Sequence, residues 1–152
     1  MDFVRPVCAR AIVAAVLLLA AGFGPPAAAQ NAAPATPALL AGNTLSAVIY
    51  VRRPPPEPGP SELARFMVQA YLRASGGALV RVWDTARDAY TRPSERQWSV
   101  TGSRFCLGLS APAPPRICAD LHVWGPRIAG LGVKPYVMLD GDLKPGNAIA
   151  LR

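Results

Sequence analysis

The sequence predicts an all-β domain, an antiparallel meander of about seven or eight short strands forming a small barrel or sandwich. Three observations carry that reading. Apolar and polar residues alternate with period two, most cleanly in Arg116–Trp124 (RICADLHVW). Turn signals rich in Gly and Pro recur at intervals of about 8–12 residues. Seventeen Pro and 13 Gly among 152 residues exclude a long-helix or coiled-coil protein. The apolar fraction of 51% also excludes a disordered chain, and the length fits one domain with a core of modest size.

The chain opens with a segment that reads as targeting rather than fold. Arg5 and Arg10 form a positive start, residues 11–23 (AIVAAVLLLAAGF) an apolar run, and Ala27-Ala28-Ala29 a small-residue cleavage site after the break at Gly24-Pro25-Pro26. Residues 1–29 are therefore expected to be a signal peptide cut before Gln30. The apolar run falls short of the roughly 20 residues a membrane span needs, so no stable span is expected after cleavage. Removing Arg5, Arg10 and Asp2 takes 16 positive and 9 negative residues to 14 and 8, a net charge of +6. That excess favours anionic partners such as an envelope component. The arginines are scattered, however, with no run longer than Arg52-Arg53, so a solvated basic surface is the plainer reading and nucleic acid is not expected.

Residues 30–38 (QNAAPATPA) read as a flexible leader, leaving 39–152 as a single β-rich domain. Residues 46–51 (SAVIYV) form a strand by β-branching and aromatic content. Residues 52–60 (RRPPPEPGP) hold five prolines, which lack ladder donors, and read as a rigid polyproline-like loop. The next segment supports two readings. Leu63, Phe66, Met67, Ala70, Tyr71 and Ala74 have helical spacing, while Val68, Ala70 and Leu72 alternate as in a strand. A strand over 66–74, entered by one helical turn at 61–65, best suits the turn Ser75-Gly76-Gly77 and the strand Ala78–Asp84. Thr85–Glu95 reads as a polar loop, followed by strands at 97–100, 104–110, 116–124, 127–133 and 135–139. Asp140–Asn147 reads as a turn-rich tail, with an edge strand at 148–151.

Beyond the leader two cysteines remain, Cys106 and Cys118, an even pair in a chain expected to meet oxidising surroundings. A hairpin turning at 112–113 sets facing positions to sum to 224 or 225, and 106 with 118 makes 224. A cross-strand disulfide is therefore expected. Eleven residues between the cysteines do not fit a C-x-x-C redox or metal pair.

Chemistry is sparse. His122, the only histidine, alternates with Leu121 and Val123 on a strand, which suits a structural role. A hydrolytic triad would need Ser99, Ser103 or Ser110 beside His122 and Asp120, and no nucleophile-elbow sequence supports one. Asp140-Gly141-Asp142 opens like a calcium loop, but Pro145 and Leu151 stand where Gly and an acid are needed. Glu57 and Glu62 give no paired-carboxylate spacing, and no Gly-rich phosphate loop occurs, so no cofactor or metal is expected. Tyr71, Trp83, Trp98, Phe105 and Trp124 either fill the core or line a ligand cavity of a small barrel. Tyr71 and Arg73 beside Arg81 would make a basic-aromatic surface.

Several motifs together have a family likeness: Gly42-Asn43-Thr44, the hairpin at Tyr71–Gly77, Trp98-Ser99-Val100, and Cys106 and Cys118 flanking a turn. In these the chain resembles small exported proteobacterial proteins of uncharacterised, domain-of-unknown-function type. The resemblance implies a β-rich secreted domain and brings no catalytic residue. The expectation is an exported, non-enzymatic binding or envelope-accessory protein, periplasmic or secreted. The alternatives are an enzyme inhibitor or hydrolase, and a lipocalin-like module for lipid or glycan.

Overall fold

The computed structural model describes residues 32–53, 62–133 and 136–149. The expected signal peptide, the prolines of the 54–60 loop, Pro135 and the end of the expected 148–151 strand lie outside them. Among the described residues no helix is long and apolar enough to cross a membrane.

The fold is all-β and antiparallel, as the alternation predicts. In chain order the elements are β1 (Ala33–Pro34), α1 (Pro37–Leu40), β2 (Asn43–Arg53), β3 (Glu62–Leu72), β4 (Gly77–Asp84) and β5 (Ala89–Tyr90). They continue as β6 (Ser94–Thr101), β7 (Arg104–Gly108), β8 (Arg116–Trp124), β9 (Arg127–Val133) and β10 (Tyr136–Pro145). Neighbours run β8-β7-β6-β4-β3-β2-β10-β9, and an additional β8–β9 pairing closes the sheet into a ring. The ring is not a regular barrel, because two strands change partner midway. β6 pairs β4 through residues 94–97 and β7 through 98–101. β8 pairs β7 through 116–120 and β9 through 120–124, sharing only Asp120. Strands that hand over in this way make corners, as in orthogonally packed sheets.

Closure demands close approach of backbones, and glycine supplies it. A Cβ on Gly130 would strike Leu121 Cδ2 and lie 2.6 Å from the Asp120 carbonyl oxygen. One on Gly132 would strike the Cys118 carbonyl oxygen, and one on Gly141 would lie 2.7 Å from Ala47 Cα. Side chains pointing inward fill the ring: Leu45, Ile49, Val68, Leu72, Phe105, Leu107, Ile117, Leu121, Ile128 and Leu139 are all fully buried. On the other face the Cys106–Cys118 disulfide joins directly opposed residues of β7 and β8 with Cα atoms 4.1 Å apart. Closing a loop of that size stabilises by about 3 kcal/mol on the chain-entropy model.

Polar contacts tie the chain ends to the ring. Thr44 is fully buried; its Oγ1 donates to the Gly146 carbonyl at 2.7 Å and accepts from the Ala148 N–H at 2.9 Å. Gly42, with φ of +79°, accepts from the Gly146 N–H at 3.0 Å. The Gly-Asn-Thr motif is thus a clasp for the segment after β10. Trp98 enters the core while its Nε1–H donates to the Arg73 carbonyl at 2.9 Å, pinning the β3–β4 hairpin. Outside the same hairpin, Arg73 and Glu95 form a two-bond ion pair that raises the Arg73 pKa, chiefly through the hydrogen bond to Glu95.

Four expectations need correcting. Residues 32–38 are not a loose leader: Ala33 and Pro34 pair with Val123 and His122, and Ala35 is fully buried. The cause is the corner in β8, where β7 ends as a partner at Asp120. Ser103 and Ala35 then satisfy both backbone groups of Leu121, each at 2.9 Å. Residues 62–65 are strand rather than a helical turn, because β2 runs on to Arg53 and offers each of them a partner. The 85–95 loop contains β5 and the start of β6. Asp140–Pro145 is strand, paired with β2 throughout and with β9 as far as Asp142. Tertiary pairing there overrides the turn preference of Asp-Gly. That also removes the calcium-loop reading.

The glycine constraint can be measured. Gly132→Ala is expected to lower unfolding free energy by about 3 kcal/mol, the upper end of overpacking costs. Gly108→Ala, whose Cβ would meet only ordinary contacts from 3.4 Å, should stay within about 1 kcal/mol. Urea denaturation of both variants checks the difference.

Candidate functional site

The alternation that buries Ile117, Ala119, Leu121 and Val123 necessarily turns Cys118, Asp120, His122 and Trp124 to the outer face of β8. On β9 the inward set is Ile128, Gly130 and Gly132, so Leu131 faces outward and is 56% exposed. The ladder sets His122 against Ala129, Asp120 against Leu131, and Trp124 against Arg127. The short Ala129 between these larger side chains leaves an open groove of about 470 Å³, lined by Asp120, His122, Trp124, Ala129, Gly130 and Leu131 with Ala32 at its border. The aromatic and aliphatic walls suit an apolar body, and His122 and Asp120 supply the polar edge.

The polar edge is not wired for acyl transfer. Ser103 Oγ donates to Asp120 Oδ1 at 3.3 Å, so this carboxylate meets the hydroxyl directly, without the imidazole between them. The exposed His122 imidazole makes no hydrogen bond to any described residue. Ser99 lies opposite Cys106 on the outer face of β6 and β7, and Ser110 Oγ is buried without a partner. Among the described residues no group of three His, Cys, Asp or Glu side chains could hold a metal ion.

The five aromatic residues singled out from sequence are divided between locations. Trp98 and Phe105 are core, with ring centroids 6.4 Å apart. Trp83 stands edge-on to Tyr90 at 5.1 Å on the outer side of the sheet, and Tyr71 is half-buried on β3. Trp124 alone lines the β8–β9 groove. The basic-aromatic surface takes a different form from the expected one. Arg81 stacks over Tyr90 at 4.8 Å and donates twice to Gln69 Oε1, while Arg73 is occupied by Glu95.

Leu131 and Ala129 were not legible as site residues, although a signal was present. In residues 127–133 (RIAGLGV) the phase set by Ile128 spends the next two inward positions on glycine. The bulk therefore goes outward, which is the reverse of an ordinary core strand.

Comparison with protein-family models, with curated proteins and with solved structures finds no match.

The two faces of the seam differ in energetic role. Leu131→Ser is expected to change unfolding free energy by no more than about 0.5 kcal/mol. Leu121→Ala should cost about 2–5 kcal/mol. Paired chemical-denaturation curves test this directly, and a large loss for Leu131→Ser would contradict the outward placement.

Proposed function

We propose that this chain is an exported, non-enzymatic binding domain that receives its ligand on the outer groove between β8 and β9. One observation carries the reading: the inside of the ring is occupied by fully buried side chains, while apolar groups and the lone imidazole meet in an open groove on the outside. A lipocalin-like mode would instead use the interior, where Phe105, Leu107 and Leu139 already stand.

Export is supported by the arrangement at residues 1–29 and by the cystine. Cys106 and Cys118 are the only cysteines beyond that segment and are bonded to each other. Such a bond persists where thiols are not kept reduced. The docking of β1 fits the same scheme. A cut before Gln30 leaves a start only a few residues ahead of the pairing at Ala33.

Expression with the leader in an exporting bacterial host tests both halves. The recovered protein is expected to begin at Gln30 and to show no titratable thiol. Its native mass spectrum should carry a small apolar adduct that Ala129→Trp, which fills the groove from outside, removes. Two free thiols would overturn the export reading. An adduct indifferent to Ala129→Trp would overturn the groove.

A further inference from the structure

A second surface on the outer face lies away from His122 and Trp124, at the end of the ring where β2, β3, β9 and β10 terminate together. The ladders place its residues in two rows. In the outermost row Leu63 of β3 faces Arg52 of β2, whose guanidinium lies over the Tyr136 ring of β10 at 5.2 Å. In the next row Arg65 faces Tyr50, Tyr50 faces Met138, and Met138 faces Leu131. Leu63, Tyr136 and Leu131 are three of the four large hydrophobic side chains that the described surface exposes, at 54%, 39% and 56%. The ladders bring them to one end of one sheet face, with Arg52 between Leu63 and Tyr136 and Leu131 in the next row, a clustering that marks an interaction surface.

Charge selects the occupant. Arg52 and Arg65 are exposed, and among the described residues neither has an ion-pair partner. Among the described residues the carboxylates nearest these rows are already engaged: Asp140, one row on from Met138, is paired with Arg127, and Asp120, beyond Leu131, is bonded to Ser103. Glu62 neighbours Leu63 in sequence but takes the opposite phase of the strand. The patch therefore offers apolar side chains, two amphipathic tyrosines and two guanidinium groups without an ion-pair partner among the described residues, all on one sheet face. Aliphatic groups enter the acyl boundary, tyrosines sit at headgroup level, and arginines meet phosphate.

We propose that this end of the ring is a docking surface for an anionic lipid bilayer. The chain lies on the membrane through Leu63, Tyr136 and Leu131, held by Arg52 and Arg65. The surface is separate from the ligand groove except at Leu131. Export decides only which membrane is met.

Co-sedimentation with vesicles tests the proposal, using the processed protein recovered from an exporting host. The probes are phosphatidylcholine alone and phosphatidylcholine with phosphatidylglycerol. Binding is expected to the mixed vesicles at low salt and at least about tenfold more weakly to the neutral ones, with each cation adding about fivefold. Arg52→Gln with Arg65→Gln should weaken binding about 25-fold, and raised salt should mimic that loss. Leu63→Ser with Tyr136→Ser should weaken it several-fold at unchanged thermal midpoint. Arg65→Glu alone guards against a folding artefact, since no described contact depends on Arg65. Ala129→Trp should leave vesicle binding intact, so failure of the groove and failure of this surface are distinguishable. Equal binding to both vesicle types, or binding indifferent to the arginine pair, would overturn the proposal. So would absence of vesicle binding, including the case where the same face captures an acidic protein.

Discussion

The structure depends on one close approach, that of β9 against the corner of β8. The ring closes only if the backbones at Asp120–Leu121 and Cys118 are met by residues without side chains, and Gly130 and Gly132 occupy those positions. Much else follows from the corner. β7 can no longer serve the second half of β8, so β1 and Ala35 must cover it, and a segment with leader-like composition becomes part of the fold. Spending the inward positions on glycine also sends Leu131 outward, and the small Ala129 leaves the groove beside it. The cystine sits immediately next to this region. Cys118 supplies both the sulfur that locks β7 to β8 and the carbonyl that Gly132 must avoid.

A filled ring also decides where the proposed recognition would have to occur. A small closed sheet either keeps its interior for a ligand or fills it with side chains. Here Phe105, Leu107, Ile117 and Leu139 fill it, with Trp98 inserted alongside and held by its hydrogen bond to Arg73. The proposed binding therefore falls on the outer face, where alternation places a histidine, a tryptophan and two exposed arginines beside exposed aliphatic groups. The two outer surfaces differ in character: β8 and β9 form an open groove, while the face beyond it spans four strands and carries Arg52 and Arg65, which have no ion-pair partner among the described residues.

What could be read from sequence tracks the range of the interactions involved. β8 and β9 have their expected limits because their alternation and flanking turns are local. The disulfide was legible because a short hairpin converts spacing into register, and the observed pairs on β7 and β8 do sum to 224. Apart from β5, a local pairing with β4 inside an expected loop, the failures are nonlocal. The Asp140-Gly141-Asp142 run carries turn chemistry, and only pairing with β2 and β9 on either side makes it strand. Ala33 and Pro34 have no strand signal of their own and are ordered by a vacancy more than 80 residues away, 122 minus 34 being 88. Of the site, Trp124 and His122 were visible as residue types. Their convergence with Leu131 needed the knowledge that β9 closes the ring.

The central claim is that the ring is packed within and receptive without. Methyl-labelled protein titrated with a small apolar probe, followed by NMR chemical-shift mapping, tests it most directly. The account predicts saturable shifts at Ala129 and Leu131, with Leu107, Ile117 and Leu139 unmoved. Saturable shifts at those interior methyls, with Ala129 and Leu131 silent, would contradict it.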